Sequence, residues 1–321
     1  MGAARAHAHG LAGPGRHVGR ALYQQAKADH AEIAAAVARF EPVLMVADPA
    51  QGREARAACE PAGVEVIELP IDDSWLRDSG PIFVLGPGGR RAGVDFAFNA
   101  WGEKFTPYDA DVAVAGLLLS ELGAERVPAP FVLEGGSIAV DGEGVLVTTE
   151  QCLLDPSRNP GLSREQIEQG LQRFLGVEQV VWLGRGLIED RDTDGHVDNV
   201  CAFVAPGRVL LQTVAEQANP NWEHVQDNAT RLREAGLEVV ELALLPYLDT
   251  PGPAVVVPYM NYYLCNGAVI VPVSGAAQDA EALELIGSLY PGREVVDVPG
   301  TTLALGGGGV HCITQQVPAT A

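Results

Sequence analysis

Lysine is almost missing from this chain of 321 residues. It occurs only as Lys27 and Lys104, and Lys and Arg together number 21 against 42 Asp and Glu. The net charge of -21 excludes nucleic acid, whose phosphates would be repelled, and excludes anionic membrane surfaces for the same reason. Such a field attracts a small cation, although solubility alone would also account for it. Paired cysteines are missing too. Cys59, Cys152, Cys201, Cys265 and Cys312 are odd in number, scattered, and form no C-x-x-C pair. That excludes a disulfide framework and points to a reducing, cytoplasmic compartment. No apolar run approaches the length of a membrane span. Residues 1–28 contain no acid, are rich in Arg and His, and lack the apolar centre of a secretory signal.

What is present is a recurring unit. Strand, tight Gly-rich turn and strand are expected over 78–96, again over 135–148, over 196–211, and over 262–271. Asn266-Gly267 is the two-residue hairpin turn of the fourth copy. A fifth copy is expected to begin at Gly309-Val-His-Cys312 and run to the end of the chain. Helical patterns at 110–122, 163–174, 222–234 and 281–290 separate the copies, and another covers 21–40. Ser163-Arg-Glu-Gln166 reads as a capping box. Five such units predict an α/β fold, a closed cyclic array of mixed αβ blades. No domain boundary is visible. Residues 1–20 are set apart as an atypical segment expected to be disordered, and 21–321 as one catalytic domain.

The polar residues follow the repeat. Asp78, Glu134, His196 with Asp198, and Cys312 each stand at or just before the first strand of a copy. A cyclic array would bring those positions together at its axis. Cys312 is a candidate nucleophile, which needs a base or a positive field to become a thiolate. His196 and His311 compete for the role of base. Strand alternation would turn His311 away from the face that Cys312 presents, and would put Asp198 on the same face as His196. In Asp72-Asp-Ser-Trp-Leu-Arg-Asp78 the acids flank Trp75 and Arg77. Paired carboxylates suit a planar guanidinium, and Trp75 could cover it by a cation–π contact. Asp73 fits a solvated turn equally well. Zinc held by His196, Asp198, His311 and Cys312 is the metal alternative, but no helical H-x-x-x-H or paired-Cys spacing supports it.

The longer motifs resemble the agmatine deiminase family, of the group related to bacterial peptidylarginine deiminase. The resemblance rests on Asp72-Asp-Ser-Trp-Leu-Arg-Asp-Ser-Gly-Pro81, Phe98-Asn-Ala-Trp-Gly102, Leu133-Glu-Gly-Gly-Ser-Ile138 and Asn159-Pro160. It continues through Asp192-Thr-Asp-Gly-His-Val-Asp-Asn199, Asn261-Tyr-Tyr-Leu-Cys-Asn-Gly267 and Gly307-Gly-Gly-Val-His-Cys-Ile-Thr-Gln-Gln316. It implies a five-bladed αβ propeller of the pentein, guanidino-group-modifying superfamily. It further implies hydrolysis of agmatine to N-carbamoylputrescine and ammonia, with no cofactor and no metal. Carried over by motif, Cys312 would be the nucleophile and His196 the general acid/base. Asp78 and Asp198 would grip the guanidinium, Glu134 would hold the histidine and the substrate, and Trp75, Asp192 and Asp72 would line the tail. Peptidyl- or free-arginine deimination, or an inactive guanidine-binding protein, are the alternatives. Homo-oligomerisation is left open. Two departures stand out. Residues 1–20 do not match the family's opening segment, which supplies an early strand, and read like an out-of-frame translation of GC-rich DNA. Asp192 also stands where many relatives carry Glu.

Overall fold

The computed structural model describes residues 6–9 and 20–319. Its strands form five three-stranded sheets. The first holds β1 (Ala6–His9), β2 (Val43–Ala47) and β3 (Glu65–Glu68). The second holds β4 (Ile82–Leu85), β5 (Arg91–Ala97) and β6 (Glu125–Val132), and the third β7 (Ile138–Val140), β8 (Val145–Thr149) and β9 (Gln179–Leu183). The fourth is β10 (Cys201–Ala205), β11 (Arg208–Gln212) and β12 (Glu238–Leu242), and the fifth β13 (Tyr263–Cys265), β14 (Ala268–Val273) and β15 (Glu294–Pro299).

In the last four sheets the first two strands are an antiparallel hairpin, and a helix then carries the chain to a third, parallel strand. The parallel pairing requires that crossover, because no tight turn can reverse the direction twice. The hairpins close where backbone freedom allows. At Asn266-Gly267, for example, Gly267 takes φ +79°, a left-handed value that side chains avoid. Helix α1 (Arg20–Ala38) precedes β2. The crossovers are α2 (Gly52–Cys59), α3 (Asp109–Glu121), α4 (Arg164–Leu175), α5 (Trp222–Glu234) and α6 (Asp279–Leu289), and α7 (Thr301–Gly306) follows β15. The capping box expected at Ser163 is formed. Its hydroxyl accepts from the Gln166 N–H, and the Gln166 side chain accepts from the Ser163 N–H.

Helix α1 packs on β14 and β15, so the first and fifth sheets touch and the array closes. Ile33 and Val37 of α1 share one buried cluster with Met45, Val66, Ile270 and Val298. Burying such aliphatic side chains contributes roughly 1.5 to 3 kcal/mol each, which is what draws the sequence-distant sheets together. Among the described residues no helix is long and apolar enough to cross a membrane.

The fifth unit differs from the sequence expectation. It is not built from the segment after Gly309. Residues 310–313 form a turn, and the remaining sheet is made by β1, which pairs parallel with β2. The turn is held by side chains. Asn261 Oδ1 accepts from the His311 N–H at 2.9 Å, and the Thr314 hydroxyl donates to the Val310 carbonyl at 3.0 Å. Apart from β1 and the first residue of α1, the expectation made for residues 1–20 lies outside the described residues.

Replacing Ser163 by Ala removes the α4 cap and should cost about 1 kcal/mol. A urea midpoint that does not move would show the cap to be dispensable.

Candidate active site

Each catalytic candidate except Cys312 sits on the loop that leads into the first strand of a sheet. Asp78 lies on the helical turn Leu76–Ser79 before β4, and Glu134 caps the short turn Gly135–Ser137 before β7. His196 caps the turn Val197–Asn199 before β10, and Asp198 lies within it. This is a tight turn and not the strand that alternation assumed. His196 and Asp198 face one site because the turn folds them inward. Asn261 stands before β13, and Cys312 lies in the turn after α7. All six are buried.

The sulfur of Cys312 is 3.5 Å from Asp198 Oδ2 and 3.2 Å from the Asn261 amide nitrogen. Asp78 Oδ1 accepts from the Gly136 N–H and Oδ2 from the Trp101 indole N–H, each at 2.9 Å. His196 Nδ1 is 3.8 Å from Asp78 Oδ2. Neither ring nitrogen of His196 has a hydrogen-bond partner, and Asp198 Oδ1 has none either. These are unsatisfied groups out of water, and such groups need a ligand or ordered water. Gly136 stands at their centre. A Cβ there would lie 2.7 Å from His196 Nδ1, 2.9 Å from Asp78 Oδ1 and 3.0 Å from Asp198 Oδ2.

The charges shape the site. Burial, with Asp198 and Glu134 nearby, pushes Asp78 up to about 6 despite the attraction of His196. Burial alone would lower His196, but Asp78, Asp198 and Glu134 together hold it above the usual histidine range. Burial would likewise raise Asp198, yet the hydrogen bond from His311 and the charges of His196 and Arg77 bring it below the ordinary carboxylate value. The Cys312 thiol is pushed well up by burial and then by Asp198 and Asp78, so it is protonated when the site is empty.

A narrow cavity reaches the thiol between Trp75, Trp101, Phe105, Asp73 and Asp192. Outside it a wider mouth of about 320 Å³ is lined by Glu189, Asp190, Arg191 and Asp192, among others. Trp75 forms one wall, and Gly308 lies so close that an added Cβ would stand 2.4 Å from the indole. The glycine run thus serves contact with the tryptophan. Asp72 is placed elsewhere. Its carboxylate accepts from the Ala110 N–H at the start of α3, and its neighbour Asp73 lines the cavity instead. The structure thus sets Asp73 and not Asp72 on the cavity wall, and the spacing of the two acids alone does not reveal which one meets the start of the helix.

Several participants were missed. Trp101 holds Asp78 from a backbone in the left-handed region, φ +56°, a conformation uncommon for a bulky residue. Arg158 is wholly buried. It pairs with Glu134 at 2.6 Å and Asp194 at 2.7 Å and donates to the Thr193 carbonyl, tying the histidine loop to the third sheet. Asn261 occupies, in the one copy without an acid, His or Cys, the position those residues hold elsewhere, so the repeat itself could have found it. His311 was expected to face away, but its Nδ1 meets Asp198 Oδ2 at 2.9 Å. Strand alternation does not hold in a turn. Among the described residues, the group of side chains best placed to take a metal ion is Glu134, Cys152 and His196, with ligand atoms within 4.8 Å of one another. It is not the zinc set considered from the sequence. Glu134 already carries the Arg158 guanidinium, which competes with a metal for that oxygen.

Gly136→Ala should keep the fold and lose about 100-fold in kcat/KM, the scale of a misplacement of about 1 Å. Activity near that of the parent would mean that the space beside Gly136 is not where substrate binds.

The chain is similar in sequence and fold to known proteins. A Pseudomonas fluorescens agmatine deiminase is 42% identical over 326 aligned positions, covering 92% of this chain and 88% of that protein. The solved Enterococcus faecalis agmatine deiminase superimposes with a TM-score of 0.91 at 34% identity, covering 99% of this chain and 93% of the other. A C. jejuni agmatine deiminase solved with substrate bound gives 0.90 at 26% identity, covering 98% and 93%. The sequence profile of one family matches residues 7–318, and the chain belongs to that family, the Porphyromonas-type peptidyl-arginine deiminases.

Proposed function

We propose that this protein hydrolyses agmatine to N-carbamoylputrescine and ammonia. The observation that carries the reading is the pair of buried carboxylates Asp78 and Asp198, both near the side-chain-free Gly136, with the Cys312 sulfur 3.5 Å from Asp198 Oδ2. A planar cation there satisfies Asp198 Oδ1 and meets carboxylates with a matching fork of N–H donors. It also cancels the negative charges that hold the thiol protonated, so the nucleophile forms when substrate is present.

The steps then follow. Cys312 Sγ bonds to the guanidinium carbon. The departing nitrogen takes the thiol proton and the proton held by His196, the C–N bond breaks, and the nitrogen leaves as ammonium. The carbon remains on sulfur as an alkylthiouronium. His196, now neutral, takes a proton from water as the oxygen bonds to that carbon, and the C–S bond breaks to release the ureido product. Glu134, fixed by Arg158, fixes the region around His196. Asp192 and Asp73 at the cavity wall suit the substrate's terminal amine.

The same chemistry on arginine is the second reading. Arg191 in the mouth is the observation that favours it, since a substrate carboxylate would seek such a cation. Glu189, Asp190 and Asp192 surround it, which favours a terminal amine instead. The five free, buried cysteines support a reducing compartment and, with the charge of -21, a cytoplasmic enzyme that engages neither nucleic acid nor membrane.

Ammonia release from agmatine, arginine and a blocked arginine peptide should be fastest for agmatine and should vanish in Cys312→Ser. A Cys312→Ser variant with normal turnover would end the covalent mechanism. Prolonged chelation should leave the rate unchanged. Loss of activity that zinc restores would point to a metal hydrolase.

The acid side of kcat/KM should fall as pH drops through about 6, because protonated Asp78 is neutral and no longer matches a cation. Asp78→Asn should weaken agmatine binding by about one to two decades, the equivalent of one charge-assisted hydrogen bond. Calorimetry showing unchanged affinity would remove the carboxylate grip from the argument.

A further inference from the structure

A second cavity, of about 250 Å³, shares no lining residue with the substrate cavity or its mouth. Its walls include β4, β7, β10 and β13, and Arg77, Asp198 and His311 also line it. Asp198 and His311 therefore stand between this space and the reacting sulfur. The two oxygens of Asp198 are used differently. Oδ1 is buried and unpartnered, while Oδ2 meets His311 Nδ1 at 2.9 Å and the Cys312 sulfur at 3.5 Å. An ionised carboxylate only accepts, so Nδ1 carries the proton of that bond.

We propose that His311 is the positioning residue for Asp198, holding Oδ2 from the side of the second cavity so that the carboxylate keeps its orientation beside the reacting sulfur, where it grips the guanidinium. The backbone that carries this ring is itself held. The His311 N–H donates to Asn261 Oδ1, and Arg77 Nε donates to the His311 carbonyl at 3.3 Å. The charged groups that face His311 are Arg77 on the turn before β4, and His196 and Asp198 beside the turn before β10. Those that face Asp198 are His311, His196 and Arg77, with Asp78 and the Cys312 thiol opposite. Burial is the largest influence on Asp198 and raises it, and the His311 bond is the first of the influences that oppose it. Without that bond Asp198 moves toward the condition of Asp78, which burial and like charge hold at about 6. Both gripping carboxylates then titrate together.

This inference rests on Asp198 as a substrate-gripping carboxylate, and the experiment separates the two. Agmatine KM, kcat and the pH profile of kcat/KM are measured for the full chain and for His311→Leu, His311→Asn, His311→Gln and Asp198→Asn. His311→Leu should raise KM by about tenfold, the equivalent of about 1.4 kcal/mol. It should also move the acid limb to higher pH and steepen it toward a two-proton dependence. Asn places an amide N–H where Nδ1 stands and should restore most of both. Gln places it at the Nε2 position and should not. If Asp198→Asn binds agmatine like the parent, the grip itself is wrong. If Asp198→Asn loses binding while His311→Leu keeps the parent KM and acid limb, the positioning role alone is overturned. Should His311→Leu fail to fold, the Asn and Gln variants decide: equal behaviour of the two overturns the proposal.

Discussion

Asp78, Asp198 and Glu134 are gathered out of water around His196, and the repulsion among them sets the terms for everything nearby. Each is countered differently. Glu134 has a permanent internal counter-charge in Arg158, a wholly buried pair whose separation would leave an uncompensated ion, at a cost of about 3 to 5 kcal/mol. Asp198 has the His311 bond and the nearby Arg77 charge. Asp78 has only neutral donors, the Gly136 amide and the Trp101 indole, with His196 a little further off. The least compensated carboxylate is thus the one whose proton affinity rises most visibly, and it is placed where a cationic group would stand. A protein nearly without lysine uses buried arginines to build a hole for another guanidinium.

That arrangement explains why the site was largely legible in the sequence and why parts of it were not. The repeat of strand, turn and strand was visible because hairpin turns need glycine and the strands need apolar residues, both local demands. Asp78, Glu134, His196 and Asp198 could be singled out because such residues are costly to bury and recur at one position of the unit, and Cys312 because a thiol follows a run of four glycines. The structure brings all five to one place. Trp101 and Arg158 were not legible in that way. They reach the site from loops outside the first strands, and nothing local marks a buried arginine as different from a surface one. The Asp72–Asp73 pair was ambiguous for the opposite reason, since two adjacent acids exchange roles with a small rotation of the chain. The course of the segment after Gly309 depends on the Asn261 side chain, a contact between distant residues that periodicity does not carry.

The way the sheets share the work has a thermodynamic consequence. Asp78, Glu134, Asp198 and Cys312 reach the centre from different loops, and residues as distant as 78 and 312 meet there. Closing such long loops costs entropy that grows only slowly with length, so the arrangement is affordable, but pairing of distant elements is slow. A molecule seated between Asp78 and Asp198 bridges the second and fourth sheets through the loops that enter them. It binds the closed array and has nothing to hold in an opened one. Occupancy therefore stabilises the ring by mass action, in proportion to the logarithm of ligand concentration over its dissociation constant. A substrate seated there would act as a reversible clasp on the fold that processes it, and each turnover would open that clasp.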